Sequence, residues 1–344
     1  RRAVATNLPM QIFRCATEVL RDLLYKVRAM PARRTEISAH VIRIHSPAIT
    51  ASAQPFGGRW MTAGGDNGTD CLWFRRTFIA KERPFRAAVP VAADCRYVLY
   101  VNGRNVSTAL YTPSDRRLPS CSTYDVTRFL RPDTNIVAVR TSPSLLRREA
   151  ASLAVSFFGS DIMGERFAWS TEEGWMSCHA GRWMTEEGET MDASEDIPHP
   201  AYGDMATALW QPTVPTEGYP SASVHDNGVT AESIFGYSHH SYNTLTDNVQ
   251  RPHTILRPRY FDIIDSHSVS YDFAPGFFGF VRVTLRGCRR GERIRIGNLL
   301  YVCSGEMDEQ AFARFTPAFM RKITISGDRH FKPEQVQEVE GICL

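Results

Sequence analysis

The sequence predicts an all-β protein: one antiparallel sandwich followed by a second, with a short helix in front of them. Three observations predict it. Between Trp73 and Arg140 lie short β-branched or aromatic runs bounded by turn residues, at 73–78, 97–101, 124–130 and 135–140, and that is how strands read. Asn102-Gly103 separates residues 97–101 from 104–106, and such a pair marks a type I′ hairpin because both central positions need positive φ. From Ser268 to Gly327 polar and apolar residues alternate again, as in a sheet with one wet face, and Gly276, Gly279, Gly287 and Gly291 supply tight turns between the pieces.

Bulk properties narrow the classes. A chain of 344 residues has room for two or three domains, and a hydrophobic content of 43% supports real cores. A formal net charge of +3 gives no compositional support for a nucleic-acid partner. No apolar run approaches the roughly 20 residues that span a bilayer. The chain opens on Arg1, and nothing there reads as a signal peptide. The eight cysteines are scattered, with no Cys-x-x-Cys and no zinc-finger spacing, and suit buried free thiols better than bridges.

In chain order, residues 1–36 form a leader with one helical stretch over 7–30. Leu8, Ile12, Cys15, Val19, Leu23 and Val27 recur at three- and four-residue spacing, Asn7 suits the N-cap, and Pro31 ends the run. Packing on its own domain accounts for this helix better than a membrane-surface role does. Residues 37–189 form the first sandwich. One or two weakly alternating strands open it before Thr62, a polar loop follows over 63–71, and 152–159 reads as a buried strand. Residues 166–171 lead into 173–178 as a closing hairpin. The run Gly58-Arg59-Trp60-Met61-Thr62 recurs at 181–185 and reads as two similar strand beginnings. Residues 190–258 form an irregular connector rich in Pro, Ser, His, Asn and Tyr. Its His225, His239 and His240 lack a further ligand at helix or hairpin spacing and read as loop histidines. Residues 259–344 form the second sandwich, with a long loop between Asn298 and Lys322 and a final strand begun by Phe331-Lys332-Pro333.

The order of these pieces resembles a known arrangement. The Trp-Phe-Arg-Arg-Thr-Phe strand from Trp73, the hairpin through Asn102-Gly103, the Tyr124-Asp125-Val126-Thr127 turn and the strand from Asn135 look like the galactose-binding-like jelly roll. That domain stands in front of several glycoside hydrolases. Leu209-Trp210-Gln211-Pro212 resembles the tryptophan element at its exit. Tyr271-Asp272-Phe273, Gly276-x-x-Gly279-Phe280-Val281, Arg286-Gly287, Gly291-Glu292-x-Ile294-x-Ile296 and the run from Ile323 to Asp328 resemble the second β-sandwich of bacterial α-L-rhamnosidases, which are inverting glycoside hydrolases. The resemblance covers residues 58–344, and Gln335–Leu344 departs from it by lacking the usual aromatic-Arg-Tyr run.

The resemblance implies a non-catalytic β-sandwich portion that supports a catalytic helical barrel expected C-terminal to this chain. It implies a rhamnose-containing glycan as the carbohydrate partner, a periplasmic or extracellular location, and an acid and a base on the barrel. The hairpin and the Tyr-Asp-Val-Thr turn also occur in β-galactosidases and β-glucuronidases. Accessory domains of such an enzyme, or a free-standing carbohydrate-binding module or adhesin, are therefore the alternatives.

Trp60, Asp66, Asn67 and Asp70 form the candidate carbohydrate site, because they join an aromatic ring to a carboxylate-bearing loop. Asp66, Asn67 and Asp70 are also the candidate ligands for calcium, the one cofactor considered. The same residues suit a solvated turn with Trp60 in the core. The acidic run Glu186, Glu187, Glu189, Asp192, Glu195 and Asp196 reads as a solvated surface, since a glycosidase needs two carboxyl groups held at a fixed separation. No Gly-x-Ser-x-Gly elbow or phosphate-binding Gly-Lys-Ser/Thr loop is present. The expectation is a chain that hydrolyses nothing by itself.

Overall fold

The computed structural model describes residues 41–42, 59–65, 68–80, 82–106, 110–112, 120–144, 150–164, 166–169, 174–196, 200–201, 209–217 and 250–344. The expected leader helix, Asp66, Asn67, His225, His239 and His240 lie outside them.

The regular structure of the described chain is almost entirely antiparallel strand, as the alternation requires. In the first half, Asp70–Ala80 pairs with Asp133–Ser144 and Met176–Thr185, and Asp133–Ser144 pairs with Cys95–Val101. Across the core from this sheet, Arg86–Ala93 pairs with Ser120–Asp125, Leu153–Val155 and Phe157–Ser160. Leu72, Phe74, Tyr97, Leu99, Val137 and Val139 point into the core between the two sheets. The intervening residues Cys71, Trp73, Val98 and Ala138 join a second core. The Asp70–Ala80 sheet is thus a middle layer, buried on both faces, and its strands lack the polar stripe of a solvated sheet.

The Asn102-Gly103 turn has the backbone its composition predicts, with φ of 50° and 77°. Asn102 also ties the hairpin inward. Its Nδ2 donates to Phe129 O at 2.8 Å and Asn135 Oδ1 at 2.9 Å, and its Oδ1 accepts from Ile136 N at 2.9 Å. The Tyr124 hydroxyl donates to Tyr97 Oη at 3.1 Å and lies 2.6 Å from Thr112 Oγ1, while Asp125 caps Thr127 N at 3.0 Å. Buried polar atoms need such partners, so this turn sequence serves the core as well as the chain reversal.

The second half is built on one long strand, Ser268–Arg286. Its first part pairs with Tyr260–Asp265 and Ala318–Gly327, and its last part with Asp308–Phe312 and Val336–Cys343. A register shift between Asp272 and Phe277 lets one strand serve both pairings. Gly276 and Gly279 therefore lie inside a strand and not in turns. A Cβ on Gly279 would stand 1.9 Å from Ile342 O, so that glycine permits a close backbone approach. Gly287 and Gly291 do sit at turns, with φ of 68° and 80°. The expected one-sided wetting holds from Val281 to Arg286 and again over Arg293–Ile296.

Three further expectations change. The loop between Asn298 and Lys322 contains the strands Leu299–Val302 and Asp308–Phe312. Arg166–Trp169 pairs with Phe157–Ser160, whereas Met176–Thr185 lies in the opposite sheet, so the expected closing hairpin is a crossover between layers. The second copy of Gly-Arg-Trp-Met-Thr ends a strand, and Arg182 is buried where Arg59 is exposed.

The two halves join through Gly188–Asp192, which pairs in parallel with Leu299–Val302 and straddles the expected start of the connector at Thr190. This is the one parallel pairing among the described strands, and it makes the middle layer continuous with the second half.

Candidate functional site

Two polar features lie where the halves meet. The first is the carboxylate of Glu189, which is buried with Arg182. Arg182 Nη1 donates to it and also to Phe312 O at 3.0 Å. Arg314 N at 2.9 Å, Phe315 N at 3.0 Å and Thr316 Oγ1 at 3.1 Å donate to the same carboxylate. Burial raises its pKa, but Arg182 and the Phe315 and Arg314 amides outweigh burial and leave it below the ordinary glutamate value. A general acid needs the opposite shift. Glu189 is thus a structural anion, not a solvated residue of an acidic run. The rest of that run disperses. Glu187 pairs with Arg295 at 2.7 Å on the surface, and Asp192 caps Ser194 N at 2.9 Å.

The second feature is a cleft of about 560 Å³. Trp73, Arg140 and Tyr100 of the middle layer form one wall, with Gly103 of the hairpin at its edge. Tyr301, Glu309 and Gln310 of the second half form the opposite wall. Met191, Ala193, Asp196, Pro200 and Ala201 line the remainder, and Ser304, Glu306 and Asp308 its rim. The volume falls within the roughly 300–1,000 Å³ typical of small-molecule sites.

The strand register builds the first wall. Trp73 lies directly opposite Arg140, whose guanidinium carbon is 5.3 Å from the indole centroid. The Tyr100 ring is 5.3 Å from that of Trp73, tilted by 51°. Arg140 Nη2 donates to Ala180 O at 3.3 Å. Burial, then the neighbouring Arg314 and Arg182, pull Arg140 down to about 10, with Asp196 acting against them. Trp73 Nε1 and Arg140 Nε are buried without a hydrogen-bond partner. On the opposite wall Glu309 accepts from Tyr301 Oη at 2.9 Å, Ser304 N at 2.7 Å and Gly305 N at 2.9 Å, which fixes the loop before it. Burial and Glu309 together push the Tyr301 phenol up.

The residues singled out from the sequence lie elsewhere. Trp60 is 3% exposed, so its ring offers no open face to a sugar. Asp70 Oδ2 lies 3.2 Å from His179 Nδ1, and Thr69 Oγ1 donates to Asp70 Oδ1 at 3.3 Å. Asp66 and Asn67, the other two candidate calcium ligands, lie outside the described residues. Among the described residues no three His, Cys, Asp or Glu side chains group as a metal site. The six cysteines whose thiols are described are free, five of them buried. Among the described residues no helix is long and apolar enough to cross a membrane.

Sequence reasoning missed the cleft because its walls come from distant segments. A usable signal was present all the same. Trp73 and Tyr100 alternate with the inward-facing Leu72, Phe74 and Leu99, so the far side of that sheet carries aromatics and must be covered by something.

A two-layer first half sharing its sheet with a second sandwich, with a cleft at the seam, defines a multi-layer β-sandwich protein. No protein-family model and no curated protein matches the sequence. Solved structures do match. The α-L-rhamnosidase from Dictyoglumus thermophilum aligns at 17% identity and a TM-score of 0.66, over 83% of this chain and 35% of its own. The native α-L-rhamnosidase from Aspergillus terreus aligns at 15% and 0.65, over 83% and 36%. The Streptomyces avermitilis α-L-rhamnosidase complexed with L-rhamnose aligns at 18% and 0.64, over 80% and 28%. The chain therefore has an α-L-rhamnosidase-like β-sandwich fold and spans about a third of the length of the enzymes it matches.

Proposed function

We propose that this chain is the non-catalytic β-sandwich portion of an α-L-rhamnosidase-like glycoside hydrolase, supporting a helical catalytic barrel and holding part of a rhamnose-containing glycan. The observation that carries the reading is the fold match over four-fifths of the chain to about one-third of each rhamnosidase. Further support comes from the exposed apolar side chains of the edge strand Tyr260–Asp265 and of the cross-strand pair Phe278 and Phe319. Apolar surface of this kind suits contact with another part of the protein, and the reading places the barrel there. The first half would be a galactose-binding-like jelly roll, and the protein periplasmic or extracellular. The loop carrying Asp66, Asn67 and Asp70 remains the proposed calcium position. Calcium titration of the wild-type chain and of Asp66→Ala/Asp70→Ala tests it, with equal heats in the two counting against it.

In this reading the catalytic acid and base belong to the barrel, and Glu189 is held ionised inside the seam. Incubated with an aryl α-L-rhamnoside, the chain alone is expected to release no more aglycone than buffer. Turnover that survives purification and disappears in Glu189→Gln, Asp192→Asn or Glu195→Gln would place an active site here and overturn the reading.

A further inference from the structure

We propose that the cleft between Trp73 and Tyr301 is a carbohydrate subsite that takes one neutral pyranose ring; the proposal rests on the glycan-related reading above and gives it a place in the molecule. A pyranose presents an apolar C–H face and a rim of hydroxyls, so its site needs a flat apolar surface beside hydrogen-bonding groups. The cleft has both. Half-buried Tyr100 leans on Trp73, and Met191, Ala193, Pro200 and Ala201 continue the apolar lining. Exposed Asp196, Glu306 and Gln310 offer oxygen acceptors around it.

Charge decides among ligand classes. Asp196, Glu306 and Glu309 line the cleft against the single lining cation Arg140, Asp308 being paired with Arg286 at 2.6 Å, and this balance disfavours a uronate or a phosphate. A quaternary ammonium would seek the face of an aromatic ring, but Arg140 already occupies that position over Trp73 at 5.3 Å. A neutral polyol remains.

The test is calorimetry of the full chain with methyl α-L-rhamnoside, galacturonate and choline, each measured on wild type, Glu306→Gln, Asp196→Asn and Tyr100→Ala. Glu306 and Asp196 are exposed, so these two variants keep the fold, which circular dichroism verifies. The expected result is saturable binding of the neutral rhamnoside, weakened about tenfold in each variant, with galacturonate and choline binding more weakly than the rhamnoside. Rhamnoside binding that is unchanged in all three variants moves the sugar elsewhere on the chain and overturns the cleft while leaving the wider reading intact. Preferential binding of galacturonate or choline, or no rhamnoside binding by wild type, also overturns it. The aglycone-release assay does not involve the cleft, so the reading of the chain as a non-catalytic portion stands or falls separately from the cleft.

Discussion

The two polar features at the seam are built from the same pair of halves and have opposite character. At Glu189 both carboxylate oxygens are met by donors from two segments, Arg182 and residues 314–316, and the carboxylate is buried. In the cleft, the middle layer and the second half leave about 560 Å³ open between them. A buried charge is tolerable only when its field is fully answered. On the proposal above, stability and binding are separated along one interface.

Substitutions should widen that contrast or collapse it. The largest effect is expected for Glu189→Ala, which strands the buried Arg182 guanidinium and should remove roughly 3–5 kcal/mol, read by thermal denaturation. A loss below about 1 kcal/mol, the level of a surface ion pair, would mean the node is wet and the contrast false. Gly188→Ala tests the seam without touching a charge. A Cβ there would lie 2.0 Å from Asn298 O at a φ of +138°, and a loss of roughly 1–3 kcal/mol is expected. Gly103→Val places a β-branched residue at a φ of 77° and should cost about 1–2 kcal/mol in the same measurement. An unchanged melting temperature for that variant would remove the type I′ turn.

The pH dependence follows from Glu189. Its folded pKa lies below the ordinary 4.5, so the folded state binds its proton less readily than the unfolded chain does. The stability it contributes is complete above about pH 4.5 and is lost as pH falls through the lower folded value. Melting profiles of wild type and Glu189→Gln should therefore converge in acid. Parallel profiles would detach acid sensitivity from this residue. The smallest effects belong to the cleft rim, where Glu306→Gln and Asp196→Asn should alter stability by less than about 0.5 kcal/mol while altering binding.

Much of the first half was legible because local rules and burial agree there. Asn102-Gly103 has one favoured backbone, and strands such as Cys95–Val101 are apolar enough to be recognised without their neighbours. The second half was legible where one face is wet, as over Arg293–Ile296. It was missed where composition misleads. Asp308–Phe312 opens with two acids and a glutamine, so it passes for loop, although Glu309 is a buried bracket for the preceding turn. Glu189 has five acidic residues within seven positions of it in sequence and looks solvated. Only its partners at Arg182 and 314–316, far apart in sequence, reveal a buried ion. That Trp60 is a core residue could not be read from the sequence, since its burial is set by packing that no short stretch records. The cleft gathers Trp73, Tyr100, Arg140, Asp196 and Tyr301, and no spacing rule joins residues that distant.

The most direct test of the contrast is amide hydrogen exchange on the full chain with and without saturating methyl α-L-rhamnoside. Added sugar should slow exchange at 97–104 and 300–310, the segments that border the cleft, and leave 182–189 as protected as before. Protection confined to residues 59–70, or absent from both borders of the cleft, would contradict the account.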